Sequence, residues 1–368
     1  MKCLKKILLV FGTRPEAIKM CPLVRELKSR ECFDIKVCLT GQHKEMLYSV
    51  LSDFKVKADY NLSIMQGGQS LFEITDKITA GLRPILTELR PDIVLVHGDT
   101  TTAFATALSC FYLKISVGHV EAGLRTYNSQ SPYPEEFNRR AISIIANYHF
   151  SPTEGARENL IAEGQPSESI FVTGNTGIDA LKTTINENYN CELFNSLKGK
   201  KIILITAHRR ENLGEPMRNM FRAINRVIME NSDVVAVYPI HMNPEVRRIA
   251  NEILGQDKRI KIIEPLDVSG FHNLMARSYL VLTDSGGIQE EAPSLGIPVL
   301  VMRNTTERPE GIAAGTIKLV GTDEDGIYEA FSNLLINDAE YSKMARAKNP
   351  YGDGQASKKI ADILERII

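Results

Sequence analysis

The sequence predicts an α/β protein of two Rossmann-like, doubly wound domains, and three observations carry that prediction. Short apolar runs alternate with helical patterns almost from end to end, as expected of parallel strands joined by right-handed crossover helices. A polar, irregular stretch at roughly 187–200 divides the alternation into two similar series. The length of 368 residues exceeds one ordinary core and suits two. The expected organisation is a first domain over 1–173, a second over 174–350, and a C-terminal helix over 351–368 that packs back on the first. Two such domains would face each other across a cleft.

The start, MKCLKKILLVF, resembles a signal peptide, but its apolar run covers only 7–11 before Gly12, Thr13 and Arg14 break it. It reads as a first strand. Strands follow at 34–39, 93–97, 116–120, 149–151 and 170–173. The second series falls at 201–207, 234–239, 260–263, 279–283, 298–302 and 317–320. The segment 279–301 reads as strand, small polar turn (Asp284, Ser285, Gly286, Gly287), helix over 289–295 ended by Gly296, and strand again. A helix that opens on glycines leaves backbone N–H groups and the positive end of its dipole for an anion. Glu290 and Glu291 lie one turn further, where a carboxylate could meet the hydroxyls of a ribose. The unit reads as a nucleotide-diphosphate site.

Composition narrows the function. Apolar residues at 43% and charged residues at 24% are those of a soluble globular protein. A formal net charge of −1 offers no basic footprint for nucleic acid or a membrane surface. The six cysteines form no C-x-x-C pair and no zinc spacing, and read as reduced thiols of a cytoplasmic protein. There is no G-x-G-x-x-G, no P-loop and no H-E-x-x-H, so neither a tightly held dinucleotide nor a metal is expected. Asp323-Glu324-Asp325 has a D-x-D form, but its place before a helical run favours capping.

Unusual polar residues cluster just after the predicted strands, at the carboxyl ends where open α/β sheets bind ligands. They include Arg14, Gln42 and His43, Asp99, Glu121, His208 and Arg209, His241, and Ser285 to Gly287. Asp99, Glu121 and the pair Glu135-Glu136 are candidate acids and bases, with helix capping the plain alternative for Asp99 or Glu135. Carboxylates sharing one site repel, which raises at least one of their pKa values. Arg14, Lys19, Arg125, Arg139, Arg209, Arg210 and Arg308 could clamp a diphosphate, or be surface or carboxylate-paired cations. His208 could donate to a leaving diphosphate. His97 and His119 lie inside strands and read as satisfied core histidines. Phe271 reads as core, or as the flank of a base.

The chain resembles the non-hydrolysing UDP-N-acetylglucosamine 2-epimerases. VFGTRPEAIKM (10–20), TGQHKEML (40–47), HGDTTT (97–102), HVEAGLRT (119–126) and PYPEEFNR (132–139) carry the likeness in the first half. TGNTGIDAL (173–181), AHRREN (207–212), VYPIHMNP (237–244) and TDSGGIQEEAPSLGIPVLVMR (283–303) carry it in the second. The resemblance implies the GT-B architecture and reversible conversion of UDP-N-acetylglucosamine to UDP-N-acetylmannosamine with no cofactor and no metal. It implies Asp99, Glu121 and Glu135 as the acid/base set, and His208 and Arg14 as stabilisers of the leaving group, supported by Arg139 and Arg308. Ser285, Gly286 and Gly287 match diphosphate contacts, Glu291 a ribose contact and Lys19 a further functional position, with Phe271 by the uracil. Gln42, His43, Gln69, Arg209 and His241 match a regulatory UDP-N-acetylglucosamine site of some relatives, though Gly68 stands where many carry an arginine. A homodimer serving cell-surface polysaccharide synthesis is implied as well. A 2-epimerase of a modified sugar nucleotide (diacetamido uronic acid or N-acetylfucosamine type) and a GT-B glycosyltransferase are the alternatives.

Overall fold

The computed structural model describes residues 4–41, 44–64, 66, 68–130, 132–306 and 308–368, without the side chains of 44–46. The chain forms two compact units, one running to Thr183 and rejoined by Tyr351–Ile368, the other Thr184–Pro350.

The first unit begins β1 (Lys5–Phe11), α1 (Arg14–Lys28), β2 (Phe33–Leu39), α2 (Lys44–Asp53), β3 (Tyr60–Asn61), α3 (Leu71–Leu89) and β4 (Ile93–His97). It continues α4 (Thr101–Leu113), β5 (Ser116–Val120), α5 (Glu135–Ile145), β6 (Tyr148–Ser151), α6 (Glu154–Ala162), β7 (Ile170–Val172) and α7 (Thr176–Thr184). All strand pairs are parallel, in the order β3-β2-β1-β4-β5-β6-β7.

The second unit runs α8 (Glu192–Leu197), β8 (Lys201–Thr206), α9 (Glu215–Glu230), β9 (Val234–Pro239), α10 (Pro244–Leu254), β10 (Ile260–Ile263) and α11 (Val268–Ala276). Then follow β11 (Leu280–Thr283), α12 (Ile288–Glu291), β12 (Val299–Val301), α13 (Pro309–Ala314), β13 (Ile317–Leu319), α14 (Glu324–Ile336) and α15 (Asp338–Arg346). Its sheet is also parallel, in the order β10-β9-β8-β11-β12-β13. The last helix, α16 (Ala356–Ile367), belongs to the first unit.

Helices cover both faces of each sheet, so the central strands are buried throughout and read as continuous apolar runs. Ile7 to Phe11, Ile93 to Val96 and Leu280 to Leu282 are wholly inaccessible to solvent. No helix among the described residues is long and apolar enough to cross a membrane.

Four local expectations change. The two-residue edge strand β3 has too few residues to show a pattern. The linker expected over 187–200 contains the short helix α8. The helix expected over 289–295 is four α-residues followed by a 3-10 turn, Ala292–Leu295, because Pro293 cannot donate the next backbone bond. Gly296 ends it with φ +70°, as expected. Helix α7, on the far side of the expected 173/174 boundary, falls in the first unit except for its final residue. It is tied there by Asp179, whose carboxylate accepts Ala356 and Ser357 N–H at 3.1 and 2.8 Å and so caps α16. Helix α16 packs along α1, where Arg30 reaches Asp362 and Glu365 at 2.8 and 2.9 Å.

In both sheets the order reverses between a unit's first and fourth strands, β1/β4 and β8/β11. Beyond the carboxyl ends of such a pair the flanking loops diverge to opposite faces and leave room for a ligand. The residues there are Gly12 to Arg14 and Gly98-Asp99 in the first unit, and Ala207 to Arg209 and Asp284 to Gly287 in the second.

Candidate active site

The turn from β1 to α1 is built to present Arg14. Thr13 caps α1 and Glu16 reaches back in a capping box, accepting Gly12 and Thr13 N–H at 3.0 and 2.8 Å. The other Glu16 oxygen accepts the Thr100 hydroxyl at 2.6 Å, tying this turn to the one after β4. A Cβ on Gly12 would stand 1.9 Å from Oγ1 of Thr40, so no side chain fits there. Burial raises the pKa of Glu16 against the pull of its hydrogen bonds to Thr100, Gly12 and Thr13. Arg14 and Lys19 both lie half-buried on the first two turns of α1.

Glu121 follows β5 with φ +61°, left-handed backbone that a glutamate adopts at a cost. The strain aims its carboxylate at Lys19, with which it pairs, and at the Asn175 amide, which donates to Oε2 at 2.9 Å. His97, the last residue of β4, brings Nε2 to 3.8 Å from the same oxygen, too far for a hydrogen bond, and that buried nitrogen has no hydrogen-bond partner. His97 is therefore not the satisfied core histidine its strand position implies. His119 fits that expectation better, with Nε2 2.7 Å from the Gly98 carbonyl.

Asp99 takes Arg139 at 2.6 Å, and its backbone carbonyl receives the Asn138 amide at 2.9 Å. Partial burial raises the Asp99 pKa; Arg139 and Lys19 pull it down, while the charges of Glu121 and Glu135 push it up. The Lys19–Glu121 and Arg139–Asp99 pairs gather these four side chains at the carboxyl edge of the sheet, and Glu135 joins them from the first turn of the helix that carries Arg139. Glu135 opens α5 behind Pro134, which makes no side-chain cap, and its buried Oε2 has no hydrogen-bond partner. Its neighbour Glu136 is structural, fully buried and accepting Thr126 and Tyr127 N–H at 3.0 Å each. Arg125 is also structural: it grips Glu163 at 2.9 and 2.7 Å and Ser143 at 2.9 Å, which resolves it as a carboxylate-paired arginine.

In the second unit, His208 and Arg209 follow β8, and Ser285 to Gly287 follow β11. Between them sits Asp284, fully buried, which accepts the backbone N–H of His208 and of Arg209 at 2.9 Å each. The His208 ring stacks on His241 at 5.3 Å. Burial lowers the His208 pKa; Asp284 opposes this, and His241 and Arg209 add to it. The glycine turn is braced from below: Thr206 and Thr283 share a 2.6 Å hydrogen bond, and Thr283 accepts Ser285 N–H at 2.9 Å. With only four α-residues after Gly287, the anion-attracting dipole is smaller than a full helix would give.

Glu290 is buried and bonds Arg308 Nε at 2.6 Å, so it is committed to an internal ion pair, while Glu291 lies half-buried. Phe271 is half-buried on α11 beside His272. Arg210 is exposed, and Asp323 caps α14 through Gly326 N–H at 3.1 Å. Of the regulatory set, Gln42 and His43 lie outside the described residues. Arg209 and His241 stand together around His208 in the second unit, and Gln69 belongs to the first unit, bonded to Ile64 O and Gln66 N at 3.0 and 2.7 Å. No group of three or more His, Cys, Asp or Glu side chains among the described residues could hold a metal ion.

Asn175 is not singled out by the sequence, which presents Asp284 and His97 only as part of a polar turn and as a core histidine. Asn175 stands just after a strand, in Gly174-Asn175-Thr176, and the strand-end criterion that found Asp99 applies to it equally. Asp284 reads as an ordinary turn former, and His97 as core.

Two parallel, doubly wound units with polar turns at their switch points define a protein of the GT-B class of α/β folds. A family model described as UDP-N-acetylglucosamine 2-epimerase matches residues 25–365. The UDP-N-acetylglucosamine 2-epimerase of Bacillus subtilis (strain 168) is 55% identical over 359 residues, 98% of this chain and 94% of the relative. That of Escherichia coli (strain K12) is 52% identical over 369 residues, 98% of each chain. The crystal structure of the UDP-GlcNAc 2-epimerase from Neisseria meningitidis bound to UDP-GlcNAc matches with a TM-score of 0.91 at 50% identity, over 98% of this chain and 100% of that one. The chain belongs to the UDP-N-acetylglucosamine 2-epimerase family.

Proposed function

We propose that the protein interconverts UDP-N-acetylglucosamine and UDP-N-acetylmannosamine by eliminating UDP and adding it back. The observation that carries this reading is the cluster of Asp99, Glu121 and Glu135 with Lys19 and Arg139 at one sheet edge. The C2 proton of the sugar is not adjacent to a carbonyl, so direct abstraction would leave an unstabilised carbanion. If C1–O cleavage accompanies it, the C–H electron pair forms the C1=C2 bond of 2-acetamidoglucal and the C1–O pair departs with UDP. Re-addition reverses these steps, with the proton returned to the other face of C2. Two faces require more than one acid/base group, and three carboxylates meet that need. His208 and Arg14, supported by Arg139 and Arg308, stabilise charge on the departing diphosphate. Ser285 to Gly287 hold the diphosphate, with Glu291 on the ribose and Phe271 by the uracil.

Incubation with UDP-N-acetylglucosamine in deuterated water tests the scheme by NMR. The expected result is UDP-N-acetylmannosamine signals with deuterium entering at C2. Free UDP with N-acetylmannosamine would mean a hydrolysing enzyme. Tight UDP binding without turnover would point to a modified sugar nucleotide or to glycosyl transfer.

The reading includes a homodimer formed through the first unit. Exposed large apolar side chains collect on its packed helices α3, α4 and α5: Phe72, Phe111, Tyr112, Phe137 and Ile144. Such a surface is costly to leave in water and favours a second copy. Ile144, 80% exposed in the single chain, should then tolerate Glu only at the expense of the dimer. Sedimentation is expected to show the parent as a dimer and Ile144→Glu as a monomer. A parent that sediments as a monomer overturns the assignment.

A further inference from the structure

Asp284 does more than brace a loop. Beyond the backbone N–H groups of His208 and Arg209, it accepts the Asn212 side-chain amide at 3.2 Å, and its Oδ1 lies 3.5 Å from Nδ1 of His208. His241, from the end of β9, stacks on the same imidazole with the two rings only 15° from parallel. The ring thus has a buried carboxylate oxygen 3.5 Å from its Nδ1 edge and another ring against its face. Nε2, across the ring from Nδ1, is turned away from the carboxylate. Asp284 also directly precedes Ser285, so one residue joins the histidine's loop to the glycine turn.

Among the described residues, the charged and titratable groups that act on the imidazole are Asp284, His241 and Arg209. Asp284 favours a proton there, while His241, Arg209 and burial oppose it. In the free protein the opposing effects win, so the neutral ring is favoured. A diphosphate on the adjoining turn would add negative charge near the ring, which favours its proton.

We propose that Asp284 is the positioning residue of His208, and that binding of a diphosphate draws one proton from solvent onto that imidazole. Nδ1–H then donates to Asp284 and Nε2–H to a diphosphate oxygen. The imidazolium meets the charge that develops as the C1–O bond breaks, and Asp284 remains ionised throughout. The inference rests on Ser285 to Gly287 being the diphosphate site.

Calorimetry with UDP as the probe tests it, slightly above neutral pH, in buffers of contrasting ionisation enthalpy. There the terminal phosphate of free UDP is already deprotonated and contributes little. Linkage requires the heat to vary with buffer in proportion to the protons taken up. The expected uptake is about one proton per chain in the parent and none in His208→Gln. Asp284→Asn, which removes the charge but keeps the shape, should take up less than half the parent's value. Binding of UDP with no buffer-dependent heat overturns the proposal, as does full uptake in His208→Gln. A parent that does not bind UDP at all overturns the diphosphate site itself, a distinguishable failure. If Asp284→Asn does not fold, the parent and His208→Gln still decide whether the proton lands on the imidazole.

Discussion

Glu121→Gln is expected to lower the turnover of UDP-N-acetylglucosamine by about a thousandfold while leaving KM within about tenfold of the parent. The substitution keeps the shape of the side chain and one oxygen for the Asn175 amide, so binding contacts change little. It removes the only charge with which this side chain can accept a proton. The direct cost is to Lys19, which loses the carboxylate it pairs with in a site where the two side chains are 13% and 11% exposed. Breaking such a pair from one side costs about 3–5 kcal/mol when fully buried, and less here. The companion variant Lys19→Met/Glu121→Gln removes the stranded charge and should recover stability without recovering rate. Circular dichroism melting and steady-state kinetics on both variants separate the two effects. A Glu121→Gln protein that keeps a rate within about tenfold of the parent would remove Glu121 from the acid/base set.

The parts of the site that could be read in sequence are those where a polar residue interrupts an apolar strand at its end. Arg14, Asp99, Glu121 and His208 stand out because a charge there has no packing explanation. Asp284 does not stand out, since an aspartate before Ser-Gly-Gly is common turn chemistry. Its partners are 75 and 76 positions away, a proximity that only the β8–β11 pairing creates. Glu290 and Glu291 are chemically identical neighbours in sequence, and the buried Arg308 decides which is committed inward. His97 also ends such a strand, but it is buried like the residues before it, and nothing local reveals that its ring ends near Glu121. The strands themselves were legible because both sheet faces are covered, which makes each central strand an unbroken apolar run. The edge strand β3 and the break at Pro293 were not, since two residues give no pattern and a proline early in a short helix can begin a turn or end one.

A second large effect is expected from pH. His97, His119 and His149 end or occupy β4, β5 and β6, and His119 and His149 are paired in register. All three are buried, and burial is the largest cause holding their pKa values down, to about 4, 3 and 4. An unfolded histidine takes its proton near pH 6.5, so between there and about pH 4 the unfolded chain binds more protons than the folded one. The stability these histidines contribute is therefore complete above pH 6.5 and falls as the pH drops. Each accounts for about 1.4 kcal/mol per pH unit, and the three together for about 4, against a total stability of about 5–15 kcal/mol. Asp99 and Glu16, raised by burial, act in the opposite sense and offset part of the slope at its acid end. Glu163, lowered chiefly by Arg125, adds to it. Urea unfolding followed by circular dichroism across this range should show the first unit failing well before carboxylate protonation alone would unfold it. His149→Gln removes one titration and puts an amide in place of a ring whose two buried nitrogens have no hydrogen-bond partner. Its stability should fall less steeply below about pH 6, by about 1.4 kcal/mol per pH unit. Equal slopes in parent and variant would mean that His149 is already protonated in the folded protein, or reachable by water, and the buried-histidine account of acid lability would fail.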